Sequence, residues 1–396
     1  MPVTHSKGNA RSIFAVHGGG LLIGLTLVSF PASGAVLRNV HHLSDVQYGA
    51  IYLPQLLTAV FGALLGGVTS DRMSLSASYR LSVAAFAAAE LLLFASASAP
   101  SHLALSIIML ATGCFGFGFG FGGGPLNAFA AMLFPKRSGA SVTALHMCAG
   151  LGLMLGPLLF GTLAQQGRWA FAPLILVLLA FAILLAASGL RLDTASATPA
   201  AHELESRCGR TARFWLCAFA AMIYSVCEGI FSNWAVVFLS EERHLPLTAA
   251  SFALTMFWGG ITLGRLIATL SGGRVPPVGF LFVLPLAMIG SLLLLPGTSG
   301  VASAYLHFGL AGLSCSAFFP MLVAFTAERH PASISWIASM LTAAMMVGVG
   351  IGSYAIGALK EGSEIASLYR VFALVPLACL ACIALALLSG RRAAKA

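Results

Sequence analysis

Apolar residues fill this chain in long runs, and polar and charged residues gather in short clusters between them. Read from cluster to cluster, the runs predict twelve helices, near residues 12–37, 46–70, 79–99, 102–133, 138–164, 169–190, 212–240, 247–271, 277–297, 301–327, 332–359 and 366–390. Roughly 20 apolar residues cross one bilayer, and the longer runs imply tilt or extension into water. The pattern predicts an all-α membrane protein of twelve transmembrane helices. Lys7 and Arg11 ahead of the first run, with small residues near Ala32–Ala35, resemble a secretion signal. That run is long for a signal's apolar core and eleven more follow it, so an uncleaved first helix is expected. The one long polar stretch inside the chain, RLDTASATPAAHELESRCGRT at 191–211, reads as a cytoplasmic linker.

Composition agrees with the pattern. Of 396 residues, 59% are hydrophobic and 8% charged, against about 25% charged in a soluble domain. A globular protein could not bury that much apolar surface, so part of it must face lipid. The net charge of +9 could suggest a nucleic-acid partner, but its distribution argues otherwise. With the N-terminus inside, 16 of the 21 Lys and Arg fall on the cytoplasmic side, among them Arg72, Arg80, Lys136, Arg265 and Arg391. The basic residues therefore act as a topology signal, with both termini cytoplasmic and no nucleic-acid role. The eight cysteines form no metal-type array or disulfide framework, and Cys379 and Cys382 lie inside an apolar run. No cofactor or metal is expected.

The two halves of the chain echo each other. Gly62 lies ten residues before Arg72, and Gly264 ten before Arg274. Gly152, Gly156 and Gly161 recur with the same spacing as Gly348, Gly352 and Gly357. The offsets are 202 and 196 residues. Two parallel halves with a site between them near the midplane are a transporter architecture. The expected division is a six-helix bundle at 1–190, the linker at 191–211 and a second, pseudo-symmetric six-helix bundle at 212–396.

The loop after the second run reads GGVTSDRMSLSASYR, residues 66–80. It resembles the G-x-x-x-D-R-x-x-x-x-R/K signature of the major facilitator superfamily, matched by Gly67, Asp71, Arg72 and Arg80. The resemblance implies the major facilitator fold and a gating latch, in which the carboxylate meets a helix end and basic residues. In the second half, SGGR at 271–274 puts Gly273 where the acid would be, so the latch is one-sided. Arg265, after Gly264, is a further candidate for the inner gate. GLGLMLGPLLFG at 150–161 resembles the family's glycine-proline helix bend at Gly156 and Pro157, a motif often linked to exporters. Segments 117–135, 145–159, 227–245, 257–265 and 318–331 resemble the fucose/galactose/glucose:proton symporter group. Members of that group carry acids in helices one and four. Here helix one offers His17, and helix four offers Asn127 behind Gly122–Gly124 and Pro125.

Ionisable residues at membrane depth are costly and mark function by default. His17, Glu90, His146, Glu228 and His307 qualify. Glu228, mid-run, suits a reversible proton carrier, and Glu90 is a second proton-coupling candidate, with a structural role as its alternative. Asn233 and Trp234 follow Glu228 closely. A carboxyl, an amide and an indole together could bind a polyol by hydrogen bonds and stacking. His17, Asn127 and His146 form a second candidate substrate-binding set, with a structural polar network between helices as its alternative. These features point to a secondary transporter in the inner membrane. It would move a small polar solute (sugar-like, a polyol or a small acid) coupled to protons, as a monomer. Proton-driven efflux of amphipathic compounds is the competing reading. No HExxH, GxSxG or Walker pattern supports an enzyme or an ATP-driven pump.

Overall fold

The computed structural model describes residues 10–69, 73–134, 137–188, 208–209, 211–271, 274–328 and 334–393. Asp71, Arg72, Gly273 and most of the 191–211 linker lie outside the described residues. The first half runs α1 (Ala10–His41), α2 (Asp45–Ala50), α3 (Tyr52–Thr69), α4 (Leu75–Ser96), α5 (Ser101–Leu133), α6 (Ser138–Gln165) and α7 (Phe171–Ala187). The second runs α8 (Ala212–Asn233), α9 (Ala235–Val237), a π-turn (Phe238–Glu242), α10 (Leu247–Leu270), α11 (Pro277–Leu294), α12 (Val301–Cys315), α13 (Phe318–Ala327), α14 (Ile334–Leu359), α15 (Ile365–Phe372) and α16 (Val375–Ala393). No strand occurs among the described residues. Among the described residues eleven helical segments are long and apolar enough to cross a membrane, and Phe171–Ala187 is a shorter apolar helix.

Four runs that the hydropathy pattern reads as continuous are interrupted, at Ile51, at Trp234, at Ser316–Ala317 and at Ala373–Leu374. Three of these coincide with a proline, although the helices run on through Pro31, Pro125, Pro157 and Pro285. A proline lacks the amide that would bond the carbonyl four residues back, and Pro54, Pro320 and Pro376 each stand just past a break. At Trp234 no proline is involved; there the Asn233 carbonyl accepts the Tyr48 hydroxyl instead of a helical amide (2.7 Å).

By proximity the chain divides into two units. The first holds Met1–His42 and Pro54–Ser196; the second holds Leu43–Leu53 and Ala197–Ala396. In the first unit α1 packs on α6 and α4 on α5. In the second, α8 packs on α14 and α10 on α12. Glycine permits the close crossings. A Cβ on Gly152 would overlap the Leu21 carbonyl of α1, and one on Gly348 the Met222 carbonyl of α8. The repeated glycines thus occupy corresponding backbone contacts in the two units, as small residues do where membrane helices approach closely. Gly62 crosses α5 with its Cβ position 2.7 Å from the Phe117 carbonyl. Near the start of α1 and of α8 an arginine caps the end of another helix, where carbonyls lack amide partners. Arg11 donates to Leu185 (2.6 Å) and Ala186 (3.1 Å) at the end of α7. Arg213 donates to Phe325 (2.6 Å) and pairs with Glu328 (3.0 Å) at the end of α13.

Candidate functional site

Glu228 lies on α8 and is partly exposed. Tyr224, one turn before it, is within hydrogen-bonding reach of its carboxyl, and the Arg265 charge acts on it from α10. The α12/α13 break organises this group. The Tyr224 hydroxyl donates to the Cys315 carbonyl (3.0 Å). Arg265 Nε donates to the Ser316 carbonyl (3.1 Å), the one deprived of an amide by Pro320. A phenol and a guanidinium thus meet the carbonyls at one interrupted helix, and the Glu228 carboxyl lies near both. Irregular backbone at membrane depth is tolerated where such partners meet it.

One turn further along α8 a second network begins. Ser232 Oγ donates to the Glu228 carbonyl (2.8 Å). Asn233 Nδ2 donates to Ser353 Oγ of α14 (2.7 Å), and Trp234 Nε1 to the Ser353 carbonyl (2.9 Å). Asn233 is 5% exposed and Trp234 is fully buried, so both side chains are engaged by α14. Tyr48 of α2 packs edge-on against Trp234, with centroids 4.9 Å apart, and its hydroxyl lies 2.9 Å from that of Tyr52. Beyond them Lys360 Nζ meets Asp45 (2.9 Å) and Glu241 (3.7 Å). The Glu242 carboxylate caps the N-terminus of α15, accepting from the amides of Ile365 (2.6 Å) and Ala366 (3.2 Å), where negative charge is favoured.

In the first unit Asn127 and His146 are brought together, with Oδ1 3.1 Å from Nε2. Asn127 Nδ2 donates to the Gly123 carbonyl (2.8 Å). His17 stays apart from this pair; its Nδ1 lies 3.3 Å from the Ile13 carbonyl of its own helix. Glu90 of α4 is fully buried beside Thr26 and Ser29 of α1. Neither of its oxygens has a hydrogen-bond partner in good geometry among the described residues. His307 contacts the Thr298 hydroxyl (3.0 Å). Gly67 lies in α3, and Arg80 is exposed near the start of α4. Gly156 and Pro157 sit within α6, which runs through both, and a Cβ on Gly156 would overlap the Val28 side chain. Among the described residues no cluster of three or more metal-ligating side chains occurs.

Tyr224, Tyr48, Ser353 and Lys360 escape the sequence reading. For Tyr224 a signal exists, since it stands four residues before Glu228 and so on the same helix face. Tyr48 has a local partner in Tyr52, but the contacts that join Tyr48, Ser353 and Lys360 into the network reach 119 to 315 residues along the chain, and no local pattern announces them.

The helices long and apolar enough to cross a bilayer mark a multi-pass membrane protein. The chain matches the Major Facilitator Superfamily over residues 18–334 and belongs to it. Transport, not catalysis, is what this family performs. The chain is 26% identical over 138 residues to major facilitator superfamily domain-containing protein 4A of Mus musculus, covering 34% of this chain and 26% of that protein. The Xenopus tropicalis protein of that name is 24% identical over 164 residues, covering 38% of this chain and 32% of that protein. The chain thus aligns with about a third or less of the length of these relatives. In fold it is similar to the crystal structure of nucleoside transporter NupG, with TM-score 0.73, 15% identity and coverage of 94% of this chain and 98% of that one. The crystal structure of D-xylose-proton symporter gives TM-score 0.71 at 16% identity, covering 94% of this chain and 96% of that one.

Proposed function

We propose that this protein is a proton-coupled secondary transporter that imports a small polar solute, with Glu228 as the proton carrier. The observation that carries this reading is the placement of Glu228. A carboxyl at membrane depth is costly, and this one has a hydroxyl and a guanidinium arranged around it and remains partly exposed. Such a group can take a proton from one side and give it to the other. Glu90, fully buried and with no cation paired to it among the described residues, is the second candidate for coupling. Asn127 and His146 supply an amide and an imidazole for hydrogen bonds to solute. Two halves at 1–190 and 212–396, joined by the 191–211 linker, would alternate access by rocking. In this reading the monomer sits in an inner membrane with both termini in the cytoplasm. Gly67, Asp71, Arg72, Arg80 and Arg265 serve as gating residues.

The test is reconstitution into liposomes holding a pH dye, followed by addition of sugars, polyols or small acids. Solute-dependent acidification that vanishes in Glu228→Gln supports the reading. Proton movement triggered only by lipophilic cations would refute import and favour efflux.

A further inference from the structure

The guanidinium beside Glu228 is only partly used. Arg265 is anchored by Nε to the Ser316 carbonyl (3.1 Å), and the side chain is exposed. Its two terminal nitrogens form no hydrogen bond or ion pair among the described residues. Held in this way, a guanidinium presents two parallel N–H groups end-on, the arrangement that grips a carboxylate. Glu228 does not satisfy it: the two groups interact through space without forming a contact ion pair.

The Tyr224 hydroxyl proton goes to the Cys315 carbonyl, and towards Glu228 the same oxygen can then only accept. With the proton on Glu228, the Arg265 charge has no counter-ion in contact among the described residues. The groups acting on Glu228 are Tyr224 on its own helix, Arg265 on α10 and the Cys315 thiol on α12. Two turns before Arg265 on the same face of α10, the Trp258 indole N–H is buried with no acceptor among the described residues. It is a second unused donor.

We propose that the transported solute is a carboxylate, gripped end-on by Arg265 while Glu228 holds the co-transported proton. This rests on the proton-coupled reading above. One negative charge on the solute and one proton on Glu228 cross together, so the net charge moved is zero. Once the proton leaves, the Glu228 carboxylate competes for Arg265 and displaces the solute.

The test uses the full chain in dye-loaded liposomes, with protein-free liposomes subtracted. Lactate or gluconate is added in one arm and lactamide or glucose in the other, with and without an imposed membrane potential. The carboxylates should acidify the lumen at a rate independent of potential, and the neutral analogues should not. Arg265→Gln should abolish the response. Arg265→Lys, which keeps the charge without the two-pronged edge, should lower it by about tenfold or more. Lactate should raise the unfolding temperature of the unaltered protein but not of Arg265→Gln, which separates lost binding from lost folding. Acidification by the neutral analogues alone, or carboxylate transport preserved in Arg265→Gln, would overturn the carboxylate assignment and leave proton-coupled transport standing. Silence in both arms would overturn the transport reading as well.

Discussion

Replacing Pro320 with alanine separates stability from function at the interrupted helix. Alanine restores the amide that the Ser316 carbonyl lacks, so α12 and α13 can run on as one helix. Removing a proline from a helix interior is worth about 3 kcal/mol. Against this stands the loss of the Arg265 bond to the Ser316 carbonyl (3.1 Å), a charge-assisted contact worth about 1.5–3 kcal/mol. The balance leaves stability level or raises it by up to about 1.5 kcal/mol. Function moves the other way. Arg265 loses its anchor, and the same 1.5–3 kcal/mol corresponds to a factor of about ten to a hundred in the population of the productive geometry. Thermal unfolding of the purified variant, followed by tryptophan fluorescence, should show an unfolding temperature equal to or above that of the unaltered protein. Initial transport rates should fall by about ten- to a hundredfold. A lower unfolding temperature with unchanged transport would refute the reasoning at both points.

Gly62→Ala would press a methyl group against the Phe117 carbonyl, 2.7 Å away, whereas Gly123→Ala meets nothing within 4 Å. Overpacking should lower the stability of the first by about 1–3 kcal/mol, and the second should gain up to about 1 kcal/mol; equal shifts in unfolding temperature would contradict the crossing of α3 and α5. Glu90→Leu removes a buried carboxyl whose oxygens have no hydrogen-bond partner in good geometry among the described residues and should stabilise the protein by about 1–3 kcal/mol while slowing uphill uptake. Uptake left intact in that variant would make Glu90 a structural residue. Lys360→Met removes the ammonium that meets Asp45 and Glu241, at a cost of about 1 kcal/mol for a partly exposed pair. The deficit should shrink as ionic strength rises; a deficit indifferent to salt would point instead to the lost approach of Lys360 Nζ to the Trp234 ring, 5.9 Å from its centroid.

The helical class and the glycine crossings are readable in the chain because both arise from short-range regularities. Long apolar runs mark the spans, and the spacing shared by Gly152, Gly156, Gly348 and Gly352 marks where backbones meet. Glu228 is legible for a similar reason, as an acid alone in an apolar run. The interruptions are not, because a hydropathy window averages over many residues while a break needs one missing amide. Reading four residues back from Pro54, Pro320 and Pro376 would find three of the four. The hydrogen bonds of Asn233 and Trp234 to α14 are not legible in the chain. Their partner Ser353 is 120 and 119 residues away, and only packing of α8 on α14 brings it to them. Asp71 and Arg72, which carry the resemblance to a gating latch, lie outside the described residues. The latch therefore rests on sequence.

The central claim is that Glu228 carries the coupled proton, and comparing uphill uptake with solute exchange in Glu228→Gln tests it most directly. A permanently neutral residue 228 should abolish accumulation driven by a pH gradient and leave counterflow of labelled solute running, because exchange needs no net proton movement. Uphill accumulation that survives in Glu228→Gln would contradict the claim.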